Sequence, residues 1–291
     1  MKLNLQRYSK KPRLTDGAWG TLLEHRGLPA GMAPELWNVE NPGAIEAVAR
    51  SYVEAGSEII LTNTFGANRY VLERSGASDR VEELATKGVR LSHRAADKRT
   101  KVFASIGPTG KIVMMEEISR QEFRRTFAET ARAIASAEPD AIVLETFNEL
   151  EELAIALKAV KMSCRLPVVA CMSFTTGPDN TATMMGNSPE DLAQMAEEHG
   201  ADAVGANCGV GPESYLRVAR RLRPRTDLPI WIKPNAGAPT TNEEGHTVFP
   251  IGPAEFATYG PRFVEAGVNF MGGCCGTTPE HIGAVKNAIT G

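Results

Sequence analysis

The chain has 291 residues, of which 42% are apolar and 23% are charged, and its formal net charge is −3. These values are typical of a globular protein with one large or two small domains. The small negative charge argues against nucleic acid or an anionic membrane surface as a partner, and no apolar run is long enough to span a bilayer.

The N-terminal stretch MKLNLQRYSKKPR is basic, and no apolar run follows it, so it is not typical of a secretory signal. We expect residues 1–12 to form a solvated arm. No linker rich in Pro, Gly or Ser divides the remainder, so residues 13–291 are predicted to form a single domain. Five cysteines in a chain of this length do not indicate a disulfide framework, and they favour a location in the reducing cytoplasm.

One sequence unit recurs along the chain: a helical stretch ends near Gly or Pro, and a short apolar run follows it. Eight segments are predicted to contain strands, and they lie at 13–20, 52–64, 101–107, 136–147, 166–174, 196–208, 228–236 and 263–275. Eight strand–helix units predict an α/β fold, a single (β/α)8 TIM barrel. The alternative is an open doubly wound sheet, but DGAWGT lacks the phosphate-binding glycine pattern expected after its first strand.

The carboxyl ends of the predicted strands carry polar and sulfur-containing residues, which is where such barrels place their chemistry. Cys208 ends the sixth strand, and Cys274 and Cys275 end the eighth. Three thiolates that meet there suit a zinc ion with an exchangeable fourth position, and the neighbouring glycines allow the bend that this requires. The spacing alone is equally compatible with ordinary buried cysteines.

A zinc ion held by three thiolates suits the binding of a substrate thiol, because coordination converts the thiol to a nucleophilic thiolate. Asp16 and Glu145 also lie at strand ends, and they could hold a substrate ammonium group. A helix cap is the alternative interpretation for Asp16, and a buried ion pair is the alternative for Glu145.

The segments DGAWGT, TNTFGAN, LETF, GANCG, KPNAG and GGCCGTTPEHI occur in the order found in the homocysteine S-methyltransferase family, which this chain resembles from about residue 13 onward. The family includes the homocysteine-binding barrel of cobalamin-dependent methionine synthase and betaine–homocysteine methyltransferase. The resemblance implies a zinc barrel that methylates homocysteine to methionine. By the same likeness, Cys208, Cys274 and Cys275 would bind zinc. Asp16 and Glu145 would contact the substrate amino group, and the backbone around Gly17 would contact its carboxylate.

The resemblance leaves the methyl donor open. Betaine-using members carry a tyrosine where this chain has Gly66, whereas Asn235 resembles the methionine synthase branch, in which this asparagine can bind zinc when substrate is absent. We expect either a separate methyl-corrinoid protein or a small onium compound as donor. The long loops at 175–188 and 236–252 follow the fifth and seventh strands, where they either shape the entry of the donor or are plain surface loops. A non-catalytic zinc and thiol-binding subunit that presents homocysteine to a corrinoid protein is the alternative. The sequence leaves a homo-oligomer open.

Overall fold

The computed structural model describes residues 3–242 and 247–290, and eight parallel strands form the centre of this part of the chain. They are β1 (Arg13–Leu14), β2 (Ile59–Ile60), β3 (Lys101–Ile106), β4 (Ala141–Phe147), β5 (Val168–Met172), β6 (Ala203–Cys208), β7 (Ile230–Pro234) and β8 (Phe270–Met271). Each predicted strand segment contains one of them. Their order in the sheet is β1-β8-β7-β6-β5-β4-β3-β2.

The ends of this sheet meet between β1 and β2. The backbone N–H of Glu58 donates to the carbonyl oxygen of Leu14 at 2.8 Å. This hydrogen bond brings the start of β2 against β1, so the eight strands close into a barrel. The predicted (β/α)8 fold is therefore confirmed, and the open-sheet alternative is wrong.

Helices surround the barrel. They are α1 (Leu5–Tyr8), α2 (Gly20–His25), α3 (Trp37–Glu40), α4 (Pro42–Ala55), α5 (Arg69–Glu73), α6 (Val81–Ala95), α7 (Arg120–Ser136), α8 (Leu150–Ser163), α9 (Pro189–Glu198), α10 (Pro212–Leu222), α11 (Pro253–Ala257), α12 (Tyr259–Glu265) and α13 (Pro279–Thr290), with 3-10 turns at Pro34–Leu36 and Arg223–Arg225. Helix α4 ends at Gly56, whose φ of 99° lies in the left-handed region. None of the helices in the described ranges is long and apolar enough to cross a membrane.

The residues before β1 lie against the amino end of the barrel. Leu5 is 2% exposed and packs in one apolar cluster with Phe103, Trp231 and Phe270, which point into the barrel from three strands. The expectation of a solvated arm is therefore wrong for the apolar side of residues 3–12. The reason is physical, because the aromatic side chains at this end of the barrel need an apolar cover, which α1 supplies.

Both long loops follow strand ends on the carboxyl side, as predicted. The loop after β7 forms a short hairpin in which Thr240–Thr241 pairs with Thr247–Val248, and positions 243–246 lie outside the described residues. Phe249 from this loop lies so close to Gly276 that an added Cβ there would come within 2.2 Å of its ring. This loop therefore packs directly on the segment that carries the paired cysteines, while its role in donor entry remains a prediction.

Candidate functional site

Three cysteine side chains meet at the carboxyl end of the barrel. The Sγ atoms of Cys208, Cys274 and Cys275 all lie within 4.8 Å of one another. Sulfur ligands of a tetrahedral zinc ion lie about 3.8 Å apart, given a zinc–sulfur distance of about 2.3 Å. The five cysteines all fall within the described residues, and none forms a disulfide. The spacing of this trio, which we call the sulfur cluster, therefore suits one shared cation.

The backbone brings the sulfur cluster together through close contacts between strand ends. Cys208 adopts a left-handed φ of 70° where β6 ends. On the other side, the N–H of Cys274 donates to the carbonyl oxygen of Pro234 at 2.8 Å, and that of Gly273 donates to the carbonyl oxygen of Asp16 at 3.0 Å. The loop after β8 is thus hydrogen-bonded to the ends of β7 and β1, which turns both of its cysteines toward Cys208.

The thiols of the sulfur cluster share their protons unequally. Hydrogen bonds from the thiols of Cys274 and Cys275 lower the pKa of Cys208 to about 3. The same bonds to Cys208 raise the pKa of Cys274 to about 12 and raise that of Cys275 as well. Of the three thiols, that of Cys208 is therefore the one that loses its proton most readily when no metal is bound. Because metal binding to cysteine releases protons, a divalent cation can take the place of those that remain.

Asn235 lies beside the sulfur cluster. Its backbone N–H donates to the carbonyl oxygen of Cys208 at 3.0 Å, and its Nδ2 donates to the carbonyl oxygen of Gly209 at 2.6 Å. The side chain also hydrogen-bonds to the Cys208 sulfur, which contributes to the low pKa of that thiol. Among the described residues Asn235 Oδ1 is buried and has no hydrogen-bond partner. Three sulfurs beside an unpartnered amide oxygen form a set of donor atoms that fits zinc.

Asp16 is fully buried, and both of its carboxylate oxygens already accept hydrogen bonds. Oδ1 accepts from the ammonium group of Lys233, and Oδ2 accepts from Trp19 Nε1 at 2.8 Å and from the N–H of Leu61 at 2.7 Å. Burial lowers the pKa of Lys233, but the carboxylates of Asp16 and Glu145 outweigh this effect and raise it. The buried ion pair that we considered for Glu145 is formed instead by Asp16, and the helix-cap interpretation of Asp16 is not supported.

Glu145 is the second carboxylate at this end of the barrel, and its side chain is 7% exposed. Its Oε1 accepts a hydrogen bond from the hydroxyl of Ser105, and its Oε2 lies 3.4 Å from Nδ2 of Asn207. Burial raises the pKa of Glu145 to about 7, although the ammonium group of Lys233 opposes this rise. Since an ionised carboxylate accepts about four hydrogen bonds, Glu145 has capacity for a further donor.

Gly17 lies where the chain passes close to the loop that carries the paired cysteines. An added Cβ at this position would be 2.7 Å from the hydroxyl oxygens of both Thr277 and Tyr52. The next residue is fixed in the same place, because the N–H of Ala18 donates to Thr277 Oγ1 at 3.1 Å and its carbonyl oxygen accepts from Tyr52 at 2.6 Å. The glycine is therefore required by packing, and its contact with a substrate carboxylate remains a prediction.

The sequence reasoning missed two residues that contact Glu145, and it assigned no role to Lys233. The two are Ser105, inside β3, and Asn207, directly before Cys208. A signal was available, because polar residues within otherwise apolar barrel strands are costly unless they are paired. The two remaining cysteines lie outside the site: Cys171 is fully buried within β5, and Cys164 is half-buried after α8.

Fold and site together define a (β/α)8 barrel with three cysteine sulfurs at the carboxyl end of its strands. The family model described as Homocysteine S-methyltransferase matches residues 13–289. The chain belongs to this homocysteine S-methyltransferase family.

Individual relatives agree with this assignment. The methionine synthases of Mycobacterium tuberculosis and Mycobacterium leprae are 32% and 31% identical over 97% and 98% of the chain, which spans 25% of the length of each. The oxidized form of the homocysteine methyltransferase MmuM from Escherichia coli is 25% identical, with a TM-score of 0.78 over 98% of this chain and 99% of that one. The metallated form has the same TM-score at 24% identity, over 97% and 98% of the two chains.

Proposed function

We propose that this protein is a zinc-dependent homocysteine S-methyltransferase that forms methionine. The observation that carries the proposal is the sulfur cluster at the carboxyl end of the barrel, in a chain that belongs to this family. The buried carboxylates of Asp16 and Glu145 in the same end of the barrel support an amino acid as the substrate. The reducing cytoplasm inferred from the cysteine content remains part of this proposal.

The sulfur cluster would hold zinc through Cys208, Cys274 and Cys275. When bound, zinc lowers the pKa of a substrate thiol and presents the thiolate to a methyl group. The unpartnered Oδ1 of Asn235 would supply a further donor atom when no substrate is present. The fixed backbone of these residues keeps them in place, so substrate binding requires little reorganisation of the protein.

The carboxylates would receive the substrate ammonium group. The buried Asp16–Lys233 pair is electrically neutral as a unit, and Glu145 beside it adds one negative charge when ionised. A single substrate ammonium group complements that charge. We therefore assign the main contact to Glu145, with Asp16 as its neighbour, and the contact with the substrate carboxylate to the backbone at Gly17.

The surroundings of Gly66 favour donors other than betaine. Betaine-using members of the family carry tyrosine at this position. Here an added Cβ would lie 2.9 Å from Val71 Cγ1 and 3.2 Å from both carboxylate oxygens of Glu35, while the Gly66 N–H donates to Glu35 Oε1 at 2.6 Å. Because Glu35 fills the place of such a side chain, we propose a different onium compound or a methyl-corrinoid protein as the donor.

Metal analysis tests the proposed zinc site. We expect near-stoichiometric zinc in the wild-type protein purified under reducing conditions without chelator. In Cys274→Ala we expect the zinc to be lost and methionine formation to fall by more than about a hundredfold, since losing even a group that only supports a ligand costs about 10- to 100-fold. Cys164→Ala is the matched control, because it removes a cysteine outside the sulfur cluster and should retain the metal. Wild-type protein without zinc would contradict the proposal.

A methionine-formation assay with homocysteine then compares betaine, S-methylmethionine and methylcobalamin as donors. Methionine formation with S-methylmethionine or methylcobalamin supports the proposed enzyme, and activity with betaine alone would contradict the inference drawn from Gly66. Homocysteine binding without turnover on any free donor, followed by activity when a corrinoid protein is added, would support the presenting-subunit alternative. The same protein preparation serves all three assays, so its zinc content is identical in each.

A further inference from the structure

Asn207 is a fully buried asparagine at the end of β6, directly before Cys208. Its Oδ1 accepts a hydrogen bond from the backbone N–H of Thr146 at 2.7 Å, and its Nδ2 donates to Thr146 Oγ1 at 2.6 Å. These two bonds connect the end of β6 to β4. They place the amide group of Asn207 between the strand that carries Glu145 and the strand that carries Cys208.

The same amide nitrogen reaches both parts of the site. Nδ2 of Asn207 lies 3.4 Å from Oε2 of Glu145 and 3.9 Å from Sγ of Cys274. An amide has two N–H groups, and here three acceptors surround them, so at least one N–H is shared. One side chain therefore contacts the proposed ammonium-binding carboxylate and the sulfur cluster together.

The backbone on both sides of this contact is held in an uncommon conformation. Thr146 and Cys208 are non-glycine residues with left-handed φ values of 64° and 70°. Such conformations are costly and persist where the surroundings over-determine them. Here the side chain of Asn207 fixes Thr146, and Tyr215 donates its hydroxyl proton to the carbonyl oxygen of Asn207 at 2.7 Å. The hydrogen bonds of Asn207 thus hold the ends of β4 and β6 at a fixed position relative to each other.

We propose that Asn207 is a positioning residue that fixes the separation between Glu145 and the sulfur cluster, and thereby selects a thiol that carries an amino group at the spacing found in homocysteine. This inference rests on the proposed function. A ligand gains from two subsites together only when both are held at the separation of its own groups. Removal of the amide of Asn207 deletes a direct contact between the carboxylate and the sulfurs, so their separation is held less precisely.

The experiment compares two thiols in the zinc-loaded protein. Homocysteine and 4-mercaptobutyrate have the same carbon chain, thiol and carboxylate, and only homocysteine carries the amino group. We expect wild-type protein to bind homocysteine more tightly, and we expect Asn207→Ala to reduce this preference at least tenfold while the zinc content stays near one per chain. A general loss of structure would weaken the binding of both thiols by the same factor. The ratio of the two dissociation constants therefore reports the positioning role alone.

Asn38→Ala is the matched control. Asn38 is also fully buried, and its Nδ2 donates to the carbonyl oxygens of Asn63 at 2.8 Å and Leu84 at 2.9 Å. Its removal deletes the same chemical group from elsewhere in the fold. We expect lower stability and an unchanged preference for the amino group.

Thr146→Gly gives a second test if Asn207→Ala does not fold, because glycine readily adopts the φ found at this position. The substitution removes the hydroxyl that anchors Nδ2 of Asn207, so we expect a smaller loss of the same preference. Wild-type preference in every variant that folds, Thr146→Gly included, would overturn the positioning role alone. Wild-type protein that binds neither zinc nor homocysteine would overturn the proposed function and this inference together.

Discussion

The two ends of the barrel are filled by chemically different side chains, although the same eight strands supply both. The amino end contains Leu5, Phe103, Trp231 and Phe270, with stacked Phe103 and Trp231 rings whose centroids lie 5.9 Å apart. The carboxyl end contains the sulfur cluster, two buried carboxylates and a buried ammonium group. Apolar burial stabilises the first end, whereas the second is stable only if every charge finds a partner.

Strand β7 shows how closely the two kinds of interior adjoin. Trp231 and Lys233 are two residues apart and so point to the same side of the strand. The Lys233 Nζ lies 5.9 Å from the centre of the Trp231 ring, while its hydrogen bond goes to Asp16. Two consecutive inward-pointing residues of β7 therefore belong to different environments: Trp231 lies in the aromatic core, and Lys233 lies in the charged site. Substitutions at the two ends should therefore affect different properties of the protein, and their effects on stability should differ in size.

The largest effect on stability is expected from Lys233→Met. This change leaves Asp16 buried without its ion-pair partner, and breaking a buried pair in this way costs about 3–5 kcal/mol. The measurement is the free energy of unfolding by denaturant at a fixed zinc concentration. The double variant Asp16→Asn, Lys233→Met removes both charges, so it should recover much of the loss. A single variant that is as stable as the wild-type protein would show that the ion pair contributes nothing to the stability of the fold.

A smaller and simpler effect is expected from Leu5→Ala at the amino end. The substitution removes buried apolar volume beneath Phe103 and Trp231, and such changes cost about 2–5 kcal/mol. We expect the lower part of that range, because α1 is short and can settle into the space. Zinc content and thiol binding should stay as in the wild-type protein. A loss of zinc in Leu5→Ala would mean that the two ends are coupled.

The sequence predicted the strands and the meeting of the cysteines for clear physical reasons. Apolar runs after helix-ending glycines identify strands buried on both faces, and all eight segments contain one. Once the strands are placed, the carboxyl ends converge, which brings Cys208 toward Cys274 and Cys275. These inferences need only local patterns and the known geometry of a barrel.

The side-chain pairs inside the barrel could not be predicted from the sequence. Asp16 and Lys233 are 217 positions apart, and which carboxylate receives the lysine depends on the rotamers at the ends of β1 and β7. The role of Asn207 depends on a left-handed residue in a different strand, which no local pattern indicates. The arm at residues 3–12 was mispredicted for a different reason: polar and charged residues outnumber Leu3, Leu5 and Tyr8, whose packing against the barrel decides where the arm lies.

The carboxyl end should also differ from the amino end in its dependence on pH. Glu152, in α8, is 3% exposed, and its Oε1 accepts hydrogen bonds from the N–H of Thr109 at 2.8 Å and from the Thr109 hydroxyl at 2.7 Å. Burial raises its pKa from the ordinary value of 4.5 to about 7. The folded protein therefore binds this proton more tightly than the unfolded chain, so the contribution of Glu152 to stability falls as pH rises from about 4.5 to about 7.

Glu152→Gln keeps an oxygen for Thr109 and removes the ionisable group. At pH 8 we expect the variant to be more stable than the wild-type protein by up to about 3 kcal/mol, and the difference should largely disappear near pH 4.5, where the wild-type carboxyl is protonated in the folded state. The pKa of Glu145 is also raised, so the stability of the Glu152→Gln variant should itself still fall somewhat as pH rises. The cost of Leu5→Ala should be constant over this pH range. An equally constant difference for Glu152→Gln would mean that Glu152 stays ionised in the folded protein, because only a proton bound differently by the folded and unfolded states can make stability depend on pH.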